Sequence, residues 1–96
     1  MIIKPELTTW TVSPQDSTHT VQWEYRPFTG KWAVRVDGET IYRGKNIMTR
    51  LVRRQVTVDV AVFELIAVCT TPRSSFLLEN FLPIPSDEDI RRGRTT

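Results

Sequence analysis

The sequence is short of the residues that most active-site chemistry needs. Its 96 residues include one cysteine, Cys69, and one histidine, His19. A lone cysteine excludes an intramolecular disulfide and a multi-cysteine metal site. One His and one Cys also leave a structural zinc site short of ligands. A hydrolytic triad needs a base beside its nucleophile, yet His19 has only Ser17, Thr18 and Thr20 close by in sequence. Neighbours along a strand point to opposite faces, so this cluster presents no triad. Glycine is scarce as well: the four, at 30, 38, 44 and 93, form no phosphate-cradling loop. Asp87, Glu88 and Asp89 lack the alternating ligands and central glycine of a calcium loop, and Arg91, Arg92 and Arg94 neutralise them. The longest apolar-rich run, Val56 to Val68, is broken by Asp59 and Glu64 and is too short to span a bilayer. The opening MIIKPELTTW has no charged region followed by a long apolar run, so no signal peptide is read. The chain is therefore expected to be a soluble cytoplasmic protein, non-enzymatic, with no catalytic, cofactor-binding or metal-binding residues.

What is present is ordinary globular material. Apolar residues make up 40% and charged residues 25% of the chain, enough for one core. The net charge of +2 is mildly basic and falls short of the concentrated basic face of a dedicated nucleic-acid binder.

The most informative stretch runs from His19 to Arg43. Val21, Trp23 and Tyr25 alternate with polar residues, and so do Trp32, Val34 and Val36. Period two is the mark of a half-buried antiparallel sheet. Asp37-Gly38 is the strongest short-range hairpin signal, because a type I′ turn needs positive φ at both central residues. A two-residue loop there sets Val34 opposite Ile41 and Trp32 opposite Arg43. Pro27 and Gly30 mark a second turn.

These residues also carry a resemblance. Trp10, Asp16-x-x-His19-x-Val21, Glu24-Tyr25, Thr29-Gly30-Lys31, Val34, Val36-Asp37-Gly38-Glu39, Ile41 and Arg43 form an ordered set that Met48-x-x-Leu51-Val52 continues. The set, over positions 10 to 52, resembles the Fas apoptotic inhibitory molecule family. Arg53 and Asp59 stand where that family carries glycines, and the chain has length for one of the two modules of the family's animal members. The resemblance implies a non-enzymatic β-sandwich linked to inhibition of cell death and to protection against stress-induced aggregation.

Along the rest of the chain, Ile2 and Ile3 can pair as a short edge strand, and Thr8 to Ser13 reads as the first full strand, Trp10 and Val12 inward. Residues 47–52 fit either a helical turn or a strand. Gln55 to Thr70 reads as two strands, 55–60 and 62–70, with a break near Ala61. Thr71 to Ser74 is a turn and Phe76 to Leu82 a last strand. Ser86 to Asp89 can cap a short helical turn, though a frayed tail is preferred. About seven or eight short strands separated by turns argue an all-β, antiparallel β-sandwich in a single domain. Residues 1–83 are assigned to it and 84–96 to a polar C-terminal tail.

Two surface expectations follow. Trp10 and Trp23 anchor the core, whereas Trp32 stands at the sheet margin, partly exposed. Arg43, Lys45, Arg50, Arg53 and Arg54 place five cations within twelve residues and no acid between them. Two readings stand for them: a solvated face whose long stems cover apolar surface, or, with Trp32, a contact site for a protein partner. On the second reading the chain is a small inhibitor or accessory protein docking on a larger protein or nucleoprotein machine through 43–54, a nucleic acid backbone being the lesser candidate. Cys69 is read as a small hydrophobe and His19 as a histidine bonding a neighbouring loop.

Overall fold

The computed structural model describes residues 5–45, 51–70 and 73–93. Eight strands make two four-stranded antiparallel sheets, each a meander whose neighbours in space are neighbours in sequence. The first sheet holds β1 (Glu6–Val12), β2 (His19–Arg26), β3 (Lys31–Val36) and β4 (Glu39–Lys45). The second holds β5 (Leu51–Val58), β6 (Ala61–Val68), β7 (Ser74–Glu79) and β8 (Leu82–Ile84). A short helix, α1 (Asp87–Arg91), follows. This is the all-β antiparallel sandwich that the alternation predicts.

Alternation puts Trp10, Val21, Trp23, Tyr25 and Val34 on the inner face of the first sheet. Val52, Val56, Phe63, Leu65 and Leu77 meet them from the second, and the two sets form one buried cluster. Burial of such side chains is worth about 1.5–3 kcal/mol each and is what holds the layers together.

The turns explain where the sequence reading needs correcting. Asp37 and Gly38 both have positive φ, 51° and 84°, as the hairpin signal requires. The second sheet uses Asp59-Val60 instead, with Asp59 at φ 54°, so the strands run 51–58 and 61–68 and the break lies ahead of Ala61. No bulge is needed: Phe63 is buried while Val62 is largely outside. The single last strand expected from Phe76 to Leu82 is a hairpin, because Asn80 and Phe81 take φ 52° and 66° and fold β8 back on β7.

The margin of the first sheet also differs. Arg35 opposes Thr40 but Val34 opposes Tyr42, so Ile41 is an extra residue in a bulge and the Val34–Ile41 pair does not form. The shift sets Gly44, not Arg43, opposite Trp32. A Cβ on Gly44 would lie 2.7 Å from the indole, so the missing side chain is what makes room for it. Trp32 is therefore core, only 7% exposed and stacked on Trp23 at 5.6 Å between ring centroids. The expected exposure of Trp32 is corrected on this ground.

After β8 the chain turns back rather than fraying. Ser86 accepts from the Asp89 N–H (3.2 Å), and the Asp89 carboxylate accepts from the Ser86 N–H (3.4 Å), a capping box. Thr11 Oγ1 then donates to Asp87 Oδ1 (2.8 Å), docking α1 on β1. Residues 1–4, 46–50, 71–72 and 94–96 lie outside the described set. With them go the pairing of Ile2 and Ile3, most of the ambiguous 47–52 segment, and half of the Thr71–Ser74 turn.

Candidate functional site

Residues directly opposite in an antiparallel ladder share a face, so register decides what each sheet shows to solvent. On the outside of the second sheet, Leu51 stands opposite Val68, Ile66 opposite Phe76, Thr57 opposite Val62, and Glu64 opposite Leu78. Leu51, Val62 and Phe76 are 44%, 49% and 46% exposed. Polar interruption comes from Gln55, Thr57, Ser74 and one ion pair, Arg53 Nε to Glu64 Oε2 at 3.2 Å. The one described helix packs on β1, in the other sheet, and leaves this face uncovered. Exposed apolar side chains gathered on one face of a small domain make that face the candidate contact surface.

The β7–β8 hairpin adds to it. Phe81 is 92% exposed and sits at φ 66°. A bulky side chain in the left-handed region costs about 1–3 kcal/mol, and a glycine there would relieve it. Phe81, Val62, Leu78 and Arg53 are among the residues that line an open hollow of about 530 Å³. The signal in the sequence was β6 itself, where Val62, Ile66 and Val68 are apolar on the phase opposite Phe63, Leu65 and Ala67. A strand with one wet face does not need both phases apolar.

The six residues singled out as partner contacts go to different places. Arg43 lies opposite Ala33 and Lys45 opposite Lys31, both on the outside of the first sheet. Arg53 lies on the outside of the second sheet, paired with Glu64. Arg54 turns the other way, into the seam between the sheets, its guanidinium 5.2 Å from the Trp32 ring centroid and 6.0 Å from that of Tyr42. Arg54, and not the Arg43 expected opposite Trp32, is the cation that meets the indole. Tyr42 Oη donates to the Gln55 carbonyl (2.8 Å), tying β4 to β5 at the same seam. Trp32, Arg43, Lys45 and Arg54 line one shallow depression of about 300 Å³, and Arg53 is not part of it. Arg50 lies outside the described residues.

His19 does more than bond one loop. Its Nδ1 is 2.7 Å from Asp37 Oδ2 and its Nε2 is 3.0 Å from Asp59 Oδ2. Both partners are turn residues at positive φ, one in each sheet, so the imidazole clasps the two hairpins at one end of the sandwich. An ionised carboxylate only accepts, so the protonated ring donates from both nitrogens, one to each turn. The hydrogen bond to Asp37 is the main reason that the His19 pKa is raised, with the Asp59 charge adding to it. The same bond, followed by the one from the Thr20 N–H, holds the Asp37 carboxyl below its usual range. Both nitrogens being engaged, His19 has none left for a base or metal ligand. Cys69 packs part-buried against the core. Among the described residues no group of three or more His, Cys, Asp or Glu is placed to hold a metal ion, and no helix is long and apolar enough to cross a membrane.

Neither a curated protein nor a solved structure matches the chain significantly. A family model does: that of the Fas apoptotic inhibitory molecule (FAIM1), over residues 6–79. The match begins at the start of β1 and ends with β7, so it takes in all of the first sheet and three strands of the second. It extends the resemblance read from positions 10 to 52 across the Asp59-Val60 turn and through the apolar β6. The chain belongs to the Fas apoptotic inhibitory molecule family.

Proposed function

We propose that this chain is a non-enzymatic protein-binding module of the cytoplasm, and that its working surface is the apolar outside of the second sheet. Its partners are exposed apolar segments of partly unfolded polypeptides, which it holds apart from one another and so protects against aggregation. The observation that carries the reading is that face, with Leu51, Val62 and Phe76 exposed on the strands and Phe81 exposed in a strained turn. An apolar segment laid on it removes water from both surfaces at about 25 cal/mol per Å². A surface of this breadth suits many sequences at low specificity, as a holdase requires. Membership of a family that is not a known enzyme family is consistent with it.

The test is suppression of aggregation, followed by light scattering, for several unrelated heat-denatured clients at near-stoichiometric ratio. The wild-type chain should suppress all of them. The variant Val62→Thr/Phe76→Thr/Phe81→Gly should protect poorly while melting at or above the wild-type temperature. Equal protection by that variant would place the activity elsewhere.

A further inference from the structure

The outside of the first sheet has the opposite character, and its charge is arranged rather than scattered. Arg26 stands opposite Lys31, and Lys31 opposite Lys45, so three cations share one rung across β2, β3 and β4. Strands lie about 4.8 Å apart, which puts the three side-chain roots within about 10 Å. Like charges directly opposite one another disfavour the pairing. One rung along, Ala33 sits between Glu24 and Arg43. Ala33 lies in a hollow of about 270 Å³ whose lining includes four cations, Arg26, Lys31, Arg35 and Arg43, together with Glu24 and Thr40.

Glu24 is the one acid among the described outward positions of this sheet, and it is overcommitted. Its Oε1 lies 3.4 Å from Arg35 Nη2 and 3.6 Å from Arg26 Nε, so a single oxygen serves two guanidiniums at long range. Five cations of β2, β3 and β4 thus face one carboxylate of the sheet, while the acids of α1, Asp87 and Glu88, lie by β1 beside Arg91 and Arg92. This face is more positive than the whole chain, whose net charge is +2.

We propose that the outside of the first sheet binds an acidic polypeptide segment, one carboxylate of which seats in the hollow above Ala33. Four basic side chains against the single carboxylate of Glu24 leave the hollow with cations to spare for a second carboxylate, and guanidiniums bind carboxylates in paired hydrogen bonds. The cationic rung beside the hollow takes the next acidic residues. Same-face side chains of an extended segment recur at about 6.8 Å, the same interval as the rungs of the sheet. A nucleic acid single strand fits less well, since it needs a run of aromatic rings for its bases. The aromatics of these strands point into the core, and Phe28, in the turn beyond the rung, is a single exposed ring. The site lies on the opposite side of the sandwich from the apolar face and does not depend on it.

The experiment titrates the full chain with a fluorescent peptide of alternating Glu and Ser, and separately with a single-stranded oligonucleotide of equal charge, at several salt concentrations. The peptide should bind with an affinity that falls as salt rises. Ala33→Glu puts the chain's own carboxylate in the hollow. It should weaken peptide binding by about tenfold or more, while the melting temperature holds or rises. Lys31→Gln/Lys45→Gln should also weaken binding without lowering the melting temperature, because it relieves the like-charge rung. Loss of binding with intact folding in either variant supports the site. Wild-type peptide affinity in both, no peptide binding by the wild-type chain, or tighter binding of the oligonucleotide than of the peptide would overturn it.

Discussion

The two sheets share one core and differ on their outsides. The first shows solvent threonines, a glutamine and a set of cations around one carboxylate, with Leu7 and Ile41 as its exposed apolar residues; the second shows Leu51, Val62, Ile66, Phe76 and Leu78 around one ion pair. The first is what a one-sided antiparallel sheet does by default, apolar within and polar without. The second departs from that default at the expense of solubility. Sheets of the same size and topology, built on the same core, isolate the outer side chains as the variable. The difference teaches that the second sheet's surface is not dictated by folding.

The comparison is broken most thoroughly from inside. Trp32→Ala removes an indole that packs under the first sheet and carries Arg54 of the second, so both outsides should be lost together. About 3–5 kcal/mol is the usual cost of such a truncation, and a single cooperative denaturant transition should shift as a whole. Two separate transitions would mean that the sheets do not share a core. Next in size is Gly44→Val, whose first side-chain atom would meet the Trp32 indole at 2.7 Å. An overpacking cost of about 1–3 kcal/mol is expected, together with increased acrylamide quenching of tryptophan fluorescence. Unchanged stability would show that Trp32 has room to move.

Changes on the apolar outside should run the other way. Phe81→Gly relieves a positive φ without emptying the core, so stability should rise by about 1 kcal/mol in denaturant melts. A loss of stability would mean that the ring packs in the folded chain, and the face would then be less open than described. The smallest effect is at the end of the sandwich, where His19 joins the turns of both sheets. Its pKa is raised above the ordinary 6.5, so its contribution is complete below that value and fades as pH climbs through the raised one. The lowered Asp37 pKa acts in the other window, its contribution present above the ordinary 3.8 and lost as pH falls through the depressed value. Melting temperature should decline as pH rises above the ordinary 6.5, and His19→Gln should flatten that limb. The same slope in the variant would assign the pH dependence to another group.

Much of this architecture was legible in the sequence, for reasons that can be located. The alternation of Val21, Trp23 and Tyr25 had only one consistent inner face, and Asp37-Gly38 announced a turn that no strand would tolerate. Asp59-Val60 and Asn80-Phe81 hid because their second residues are strand formers; positive φ at Asp59, Asn80 and Phe81 is imposed by hairpin closure rather than invited by glycine. The bulge at Ile41 hid because a one-residue slip leaves composition unchanged. Its trace was Gly44, whose purpose shows only once Trp32 lies across it. The basic segment was visible as composition, but its side chains divide among two outer faces and a seam. The His19 clasp and the rung of Arg26, Lys31 and Lys45 join residues from separate strands and turns, where sequence spacing carries no sign of them.

Every ladder in this fold joins strands that follow one another in the chain, and only the link from β4 to β5 passes from one sheet to the other. Short loops close quickly, so the first four strands can zip up as soon as Lys45 has been synthesised. For the interval before β5 to β8 are made, that half-sheet shows the solvent Trp10, Trp23, Trp32 and Val34, a surface more apolar than any on the finished molecule. A nascent copy is thus the same kind of object that the proposed activity acts upon. Under the proposed activity, a fragment ending at Lys45 should aggregate by itself and stay dispersed when whole chain is added.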